Sequence, residues 1–161
     1  MDLAAAIAAC REYVHQHAKA GLDCPCCGTR MKIYKRRLND GMARALTAIA
    51  ELSKEHADVD GWLPVGKKSE IMPASVALQL HHWEYPKLKF FGLLESMPAP
   101  AANKDGLWRV TPHGVAFLAG KVPARAYVRE LKGKVMRISK RRVYLSDVLK
   151  TPFDFDDLMN G

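Results

Sequence analysis

Apolar side chains recur at helical spacing near the start of the chain, over residues 2–19. They follow one another at steps of four and three residues, at Leu3, Ile7, Cys10, Val14 and His17. This spacing places them along one face of a helix, which Asp2 can cap. Because the pattern spans only two heptads, we predict that this face packs on the rest of the chain, with a homodimer through residues 3–17 as the alternative.

The middle of the chain alternates between strand-like and helix-like spacing. In order, we predict a strand at 31–38, a helix at 39–56, a short strand at 61–66, helices at 75–80 and about 82–91, strands at 93–97 and 107–111, and a helix at 112–119. The first of these helices has its apolar positions on one face: Met42, Ala45, Leu46, Ile49 and Leu52. Pro86 is tolerated only in a first turn, so the helix at 82–91 can begin later.

The ends of these elements carry capping and turn signals. Asn39 or Asp40 can cap the helix that follows them. Thr111 can cap the last helix of this series, with Pro112 at its first position. Beyond Pro123, two extended runs at 126–131 and 134–139 flank Lys132-Gly133, which predicts a β-hairpin.

The stretch GLWRVTPHG, residues 106–114, places an arginine between two apolar residues. Side chains alternate faces along a strand, so we expect Trp108 and Val110 to point inward and Arg109 to face solvent. The elements from 39 to 120 then follow the order of a winged helix-turn-helix, in which the hairpin is the wing. We therefore predict an α+β fold: an N-terminal helix and cysteine knuckle (1–38), a winged helix (39–122) and a C-terminal hairpin extension (123–161).

Several stretches resemble known families. Gly92-Leu93-Leu94-Glu95 and the run from Trp108 to Gly114 are similar to the turn and the hairpin end of many winged-helix proteins. The stretches CPCCG, KIYKRRLNDGMARAL, YPKLKFFGLLE, WRVTPHGVAF and FDFDDLMNG resemble phage-encoded and prophage-encoded proteins with a Cys-Pro-x-Cys-Gly knuckle before a winged-helix-like domain. This resemblance implies a phage context and the winged-helix fold, and it supplies no catalytic residues.

The charge of the chain favours a polyanionic partner. A formal net charge of +8 on 161 residues points to nucleic acid first, an acidic protein surface second and anionic lipid third. The candidate DNA-contacting residues are Tyr85, Lys87 and Lys89 on the recognition helix, Lys104 and Arg109 on the wing, and two basic runs, Lys32, Lys35, Arg36, Arg37 and Lys140, Arg141, Arg142. Lysines suit phosphate better than base edges, so we expect mostly backbone contacts. Six such contacts predict a log–log salt slope of about −5.

The cysteine knuckle Cys24-Pro25-Cys26-Cys27-Gly28 is half of a zinc-ribbon site. Cys24 and Cys27 are the candidate ligands, with Cys10 or His17 as a third. These two cannot serve together, because a helix separates them by about 10 Å. A metal-free knuckle, or a site completed by Asp23 or a second chain, are the alternatives. The four cysteines make no disulfide framework, which favours a reducing compartment.

Several motifs that mark known functions are absent from the chain. The chain has no nucleophile elbow, Walker loop or zinc-protease motif, so we expect no enzyme. No apolar run reaches the length of a membrane span, and the N-terminus lacks a secretory signal, so we expect the cytoplasm, that of a host cell if phage-encoded. We predict a phage-type DNA-binding protein that regulates transcription or another DNA transaction. The alternative is a protein-binding inhibitor of a host factor, such as a defence complex or RNA polymerase.

Overall fold

The computed structural model describes residues 2–66, 71–97 and 106–150. Helices take up 43% and strands 23% of it, which confirms the predicted α+β class. In chain order the elements are α1 (Leu3–His17), β1 (Leu22–Asp23), β2 (Arg30–Met31), β3 (Tyr34–Arg37), α2 (Asp40–His56), β4 (Leu63–Pro64), α3 (Ala74–His82), a 3₁₀ helix (Tyr85–Phe91), β5 (Leu94–Met97), β6 (Leu107–Val110), α4 (Pro112–Leu118), β7 (Ala124–Arg125), β8 (Tyr127–Leu131), β9 (Lys134–Ile138), β10 (Arg142–Val143) and α5 (Leu145–Val148).

The chain forms two compact units. Unit 1 consists of Met1–Arg37 with Tyr127–Ser139, and unit 2 of Leu38–Ala126 with Lys140–Gly161. The hairpin β8–β9, which we had assigned to a C-terminal extension, therefore belongs with the N-terminal helix and knuckle. Within the described ranges, no helix is both long enough and apolar enough to span a membrane.

Unit 1 is built on a three-stranded antiparallel sheet with the order β3-β8-β9. The predicted hairpin is confirmed: its turn residues Lys132 and Gly133 both have positive φ, 50° and 78°, as a two-residue turn between twisted strands requires. The buried apolar cluster of the unit is small and consists of Val14, Ala18 and Leu131. Val14 is the one residue of α1 that is buried, so most of the predicted apolar seam stays accessible.

Unit 2 has the larger core, centred on α2. The Asn39 side chain accepts a hydrogen bond from the backbone of Met42 at 2.9 Å and caps the helix as predicted. The predicted apolar face is buried in full: Met42, Ala45, Leu46, Ile49 and Leu52. The core of the unit also includes Leu63, Leu80, Leu88 and Phe117, which are fully buried and add to the favourable burial.

A second sheet, with the order β4-β6-β5, completes the core of unit 2. Trp108 points inward, is 8% exposed, and meets the ring of Tyr85 edge-on at 5.0 Å. Thr111 caps α4 by accepting from the backbone of Gly114 at 2.9 Å. A side chain at Gly114 would collide with the carbonyl oxygen of Leu93, so this close approach requires glycine.

The predicted helix at 82–91 differs from the structure in type and start. The α-helix α3 continues to His82, and a separate 3₁₀ helix begins at Tyr85, after Glu84 adopts the left-handed region at φ 58°. Pro86 explains the break, because its ring is compatible with a helix only in the first turn. The predicted end at Gly92 is confirmed.

Candidate nucleic-acid interface and cysteine cluster

The positive charge of the chain is concentrated in unit 1. Its 50 residues hold 11 Lys and Arg against 4 Asp and Glu, which is a formal charge of +7. The 111 residues of unit 2 hold 14 against 13, which leaves +1. The electrostatic attraction of a polyanion is therefore expected at unit 1.

Cations lie side by side across the sheet of unit 1. Lys35 on β3 is directly opposite Arg129 on β8, and Arg129 is directly opposite Arg137 on β9. Residues directly opposite in antiparallel strands project from the same face, and Arg37 shares this face with Lys35. We call Lys35, Arg37, Arg129 and Arg137 the basic face. Among the described residues, none of the four is in an ion pair within 4.0 Å.

A bulge in the hairpin places Arg137 on this face. Leu131 pairs with Lys134 and Glu130 with Val135, but Arg129 pairs with Arg137 rather than with Met136. The extra residue shifts every later position of β9 by one. Without it, Arg137 would project from the opposite face of the sheet.

A pocket of about 290 Å³ extends the basic face toward the end of α1. Its lining is Lys19, Ile33, Arg129, Met136 and Arg137. Three cations thus meet over an apolar floor, and no carboxylate lines the pocket. Such a lining suits an anion, because each cation lowers the energy of a negative charge placed there.

The opposite face of the same sheet is neutralised. Arg36, a predicted DNA contact, forms an ion pair with Glu130 at 3.0 Å, and Glu130 is 5% exposed. Arg36 also stacks on the ring of Tyr34 at 4.7 Å. Lys32 lies 6.0 Å from the same ring. Arg36 is therefore held by partners within the unit, although 29% of its side chain stays exposed, and its role as a DNA contact stays a prediction, as do those of Lys35 and Arg37.

The recognition-helix candidates of unit 2 differ in their availability. Tyr85 is 8% exposed and packs on Trp108, so little of its ring is accessible to a ligand, and its role as a DNA contact stays a prediction. Lys87 forms an ion pair with Glu84. Lys89 is exposed and is the member of this group that a phosphate can reach.

Arg109 faces outward as predicted, is 35% exposed, and forms several contacts within the unit. Its Nε donates to Glu95 at 2.7 Å, its Nη1 donates to the carbonyl of Asp60 at 3.0 Å, and its guanidinium lies 4.4 Å from the Trp62 ring. Holding it for a phosphate would require these contacts to break. Lys104 lies outside the described residues.

The second basic run lies near a short two-stranded sheet of unit 2. Lys140, Arg141 and Arg142 are all exposed. Arg142 on β10 is directly opposite Arg125 on β7. These residues stay candidates, although they belong to a unit of nearly neutral charge.

The knuckle brings three cysteine sulfurs together. Those of Cys10, Cys24 and Cys26 all lie within 4.8 Å of one another, close enough to hold a metal ion. Cys10 and Cys26 are joined here by a disulfide, which the sequence analysis did not predict. Of the two alternative third ligands, the structure places Cys10 in the cluster. His17 instead has its Nδ1 2.8 Å from the carbonyl of Tyr13.

Cys27 lies at the edge of this cluster and is exposed. Hydrogen bonds from the side chain and backbone of Thr29, followed by one with Cys24, lower the pKa of its thiol. The turn that positions it is closed by Gly28, whose amide donates to the carbonyl of Cys24 at 2.8 Å. Three of the four cysteines thus cluster in space, and the fourth contacts one of them.

Four functional candidates were missed by the sequence analysis. They are Lys19, Arg129, Arg137 and Cys26. Arg129 shares a predicted hairpin strand with apolar residues. The alternation of side chains between the two faces of that strand could therefore have indicated that Arg129 is a candidate. Arg137 could not be placed, because its face depends on the bulge.

Comparisons with family models, with curated proteins and with solved structures found no match for the chain.

Proposed function

We propose that the protein binds DNA through phosphate contacts made by the basic face of unit 1. The observation that carries this proposal is the row of Lys35, Arg129 and Arg137, directly opposite one another on three neighbouring strands. Like charges placed in this way destabilise a sheet. A bound polyanion removes that repulsion, so the same residues that weaken the free protein stabilise the complex.

The geometry favours contacts to the backbone over contacts to bases. Neighbouring strands lie about 4.8 Å apart. The spacing between neighbouring cations is therefore shorter than the Debye length, roughly 8 Å at physiological salt, and the three cations attract a bound phosphate together. Lys35 lies 4.0 Å from the Tyr127 ring, which fixes its direction across the face. Lysine and arginine side chains that contact phosphates carry no sequence information directly, so we expect little sequence preference.

We propose a supporting role for unit 2 as a winged helix. Its order of α2, β4, α3, 3₁₀ helix, hairpin and α4 supports this fold. Of the two lysines at its recognition position, Lys87 is paired with Glu84 and Lys89 is exposed, so we expect unit 2 to add few contacts of its own. Together with the phage resemblance, this supports a role in transcription or another DNA transaction of a phage in its host.

We also propose that the metal of the cysteine cluster is zinc. Thiolates at these distances suit Zn²⁺, which binds cysteine sulfur tetrahedrally. The ion would supply folding free energy to unit 1 rather than chemistry. In this way it would hold the sheet that carries the basic face.

The proposal is tested by titrating the full chain against random-sequence duplex DNA over a series of salt concentrations. The test variant carries Lys35→Ala, Arg129→Ala and Arg137→Ala. The matched control carries Lys54→Ala, Lys121→Ala and Lys150→Ala, three exposed cations of unit 2 that are not candidate contacts. Both variants lose the same charge, so they differ only in where it is lost.

We expect the test variant to lose about 2.7 from the salt slope and roughly a hundredfold in affinity. The control should keep the slope of the parent. A control variant that loses more than the test variant would move the interface to unit 2. If the parent binds polyglutamate but no DNA at low salt, the target is an acidic protein surface, as in a host-factor inhibitor.

A further inference from the structure

The cysteine cluster connects two parts of unit 1 that little else holds together. Cys10 lies on α1, and Cys24 and Cys26 lie at the turn between β1 and β2. The unit has 50 residues and a buried cluster of only Val14, Ala18 and Leu131. Domains of this size with so small a core need a disulfide or a metal to stay folded.

The sulfur positions fit either kind of link. In a tetrahedral zinc site the sulfurs lie about 3.8 Å apart, and those of Cys10, Cys24 and Cys26 are within 4.8 Å of one another. The fourth sulfur we assign is that of Cys27, which follows Cys26 in the same turn and is exposed; it lies outside the group of three, so its side chain must turn toward them to complete the site. The same cluster also holds a disulfide between Cys10 and Cys26.

We propose that the four cysteines form a zinc site that exchanges with the Cys10–Cys26 disulfide. In the reduced chain Cys10, Cys24, Cys26 and Cys27 hold Zn²⁺; when Cys10 and Cys26 are oxidised, the ion leaves. This inference rests on the zinc proposed above and does not depend on DNA binding. Unit 1 keeps its link between α1 and the knuckle in both forms.

The exchange balances with a low-molecular-weight disulfide as the oxidant. The thiolate of Cys10 or Cys26 attacks one sulfur of the oxidant and releases the other as a thiolate. The remaining protein thiolate then attacks the mixed disulfide, forms the Cys10–Cys26 bond and releases the second thiolate. Two electrons pass from the protein to the oxidant, and Zn²⁺, left with two ligands, dissociates. A small dithiol reverses the reaction.

The experiment uses the full chain, reduced and loaded with zinc. Oxidised glutathione is added, released zinc is followed with a colorimetric chelator, and the free thiols of the protein are counted at the same times after glutathione has been removed by gel filtration. We expect one zinc per chain to be released for every two thiols lost, with Cys10 and Cys26 joined in the digested product.

The possible outcomes separate the two proposals. A reduced chain that binds no zinc overturns both the zinc site and the exchange. A chain that keeps its zinc after Cys10 and Cys26 are joined overturns the exchange alone, as does a disulfide between any other pair.

The variant Cys27→Ser tests the fourth ligand without touching the disulfide. Cys27 is exposed, so its replacement should leave the fold intact. We expect zinc affinity to fall about a hundredfold or more, and the thiolate absorption of the cobalt-substituted site to weaken, while the Cys10–Cys26 bond still forms. Unchanged zinc affinity would exclude Cys27 as a ligand.

Discussion

Unit 1 carries +7 of the charge of the chain on 50 residues, and unit 2 carries +1 on 111. Their cores show the opposite order: three buried apolar residues cluster in unit 1, whereas α2 alone buries seven residues in unit 2. Unit 2, which carries the motifs that resemble those of winged-helix proteins, is thus the better-packed unit. The unit with most of the charge has the small buried cluster, and we propose that its cysteine cluster supplies the missing stability.

The candidate cations of the two units also differ in whether they form ion pairs with carboxylates. In unit 2, Arg109 pairs with Glu95, Lys87 with Glu84 and Lys54 with Glu51, so counting basic residues overstates the charge available to a ligand. The basic face of unit 1 has no such partners among the described residues. Unpaired cations kept close together are a better sign of a polyanion site than cations in a recognisable fold.

The largest expected effect comes from removing all four cysteines. In the chain with Cys10→Ser, Cys24→Ser, Cys26→Ser and Cys27→Ser, we expect the amides of α1 and the β1–β2 hairpin to lose protection from hydrogen exchange. A disulfide contributes about 2–5 kcal/mol to the stability of a small unit. The small core of unit 1 is not expected to supply enough stability to make up for its loss. The amides of α2 should remain protected; equal loss in both units would contradict their separate stability.

A second comparison replaces one carboxylate in each unit. Glu130 in unit 1 is 5% exposed, binds Arg36 and accepts from the Gly133 amide at 2.9 Å. We expect Glu130→Ala to destabilise unit 1 by about 2 kcal/mol, since it removes a charge-assisted hydrogen bond to the half-buried Arg36 and the acceptor of the Gly133 amide. Glu95→Ala breaks an accessible pair with Arg109 and should change unit 2 by less than about 1 kcal/mol.

The readout for this comparison follows from the sequence. All three tryptophans, Trp62, Trp83 and Trp108, belong to unit 2, so their fluorescence in a urea titration reports that unit, and amide exchange of β8 reports unit 1. Glu130→Gln keeps an oxygen for the Gly133 amide and should recover part of the loss. A Glu95→Ala effect as large as that of Glu130→Ala would remove the distinction drawn between the two pairs.

Local signals in the sequence predicted much of unit 2 and the hairpin. The caps at Asn39 and Thr111, the inward Trp108 and the turn at Lys132-Gly133 each depend on residues within a few positions of one another. Interactions between residues so close in sequence depend on the local backbone and on neighbouring side chains, so they can be predicted from a single sequence.

The arrangement of unit 1 depends on distant partners and could not be predicted in this way. β3 pairs with β8, and Arg36 reaches Glu130 across a separation of 94 residues. The spacing of apolar residues predicts a strand, but it does not identify the strand with which that strand pairs. The same holds for Cys10, which meets Cys26 through the packing of α1 rather than through a motif.

A smaller effect is expected at the cap of α4 in unit 2. Thr111 donates from its hydroxyl to the carbonyl of Gly92 at 2.6 Å and accepts from the amide of Gly114. Thr111→Ala should therefore destabilise unit 2 by about 1–2 kcal/mol, measured by tryptophan fluorescence. Thr111→Ser keeps the hydroxyl and should retain most of the stability. An equal loss in both variants would assign the effect to the methyl group.

The smallest effect concerns pH and Asp40, in the first turn of α2. Partial burial acts to raise the pKa of its carboxyl, but hydrogen bonds from Arg44 and the Lys150 amide outweigh this and lower it. Because the folded pKa lies below the unfolded value of about 3.9, the carboxylate stabilises unit 2 above that pH, and the stabilisation is lost as the pH falls through the folded pKa. We expect Asp40→Asn to cost about 1 kcal/mol at pH 7 and much less at pH 2. A cost that stays constant between these pH values would show that the side chain acts through packing rather than charge.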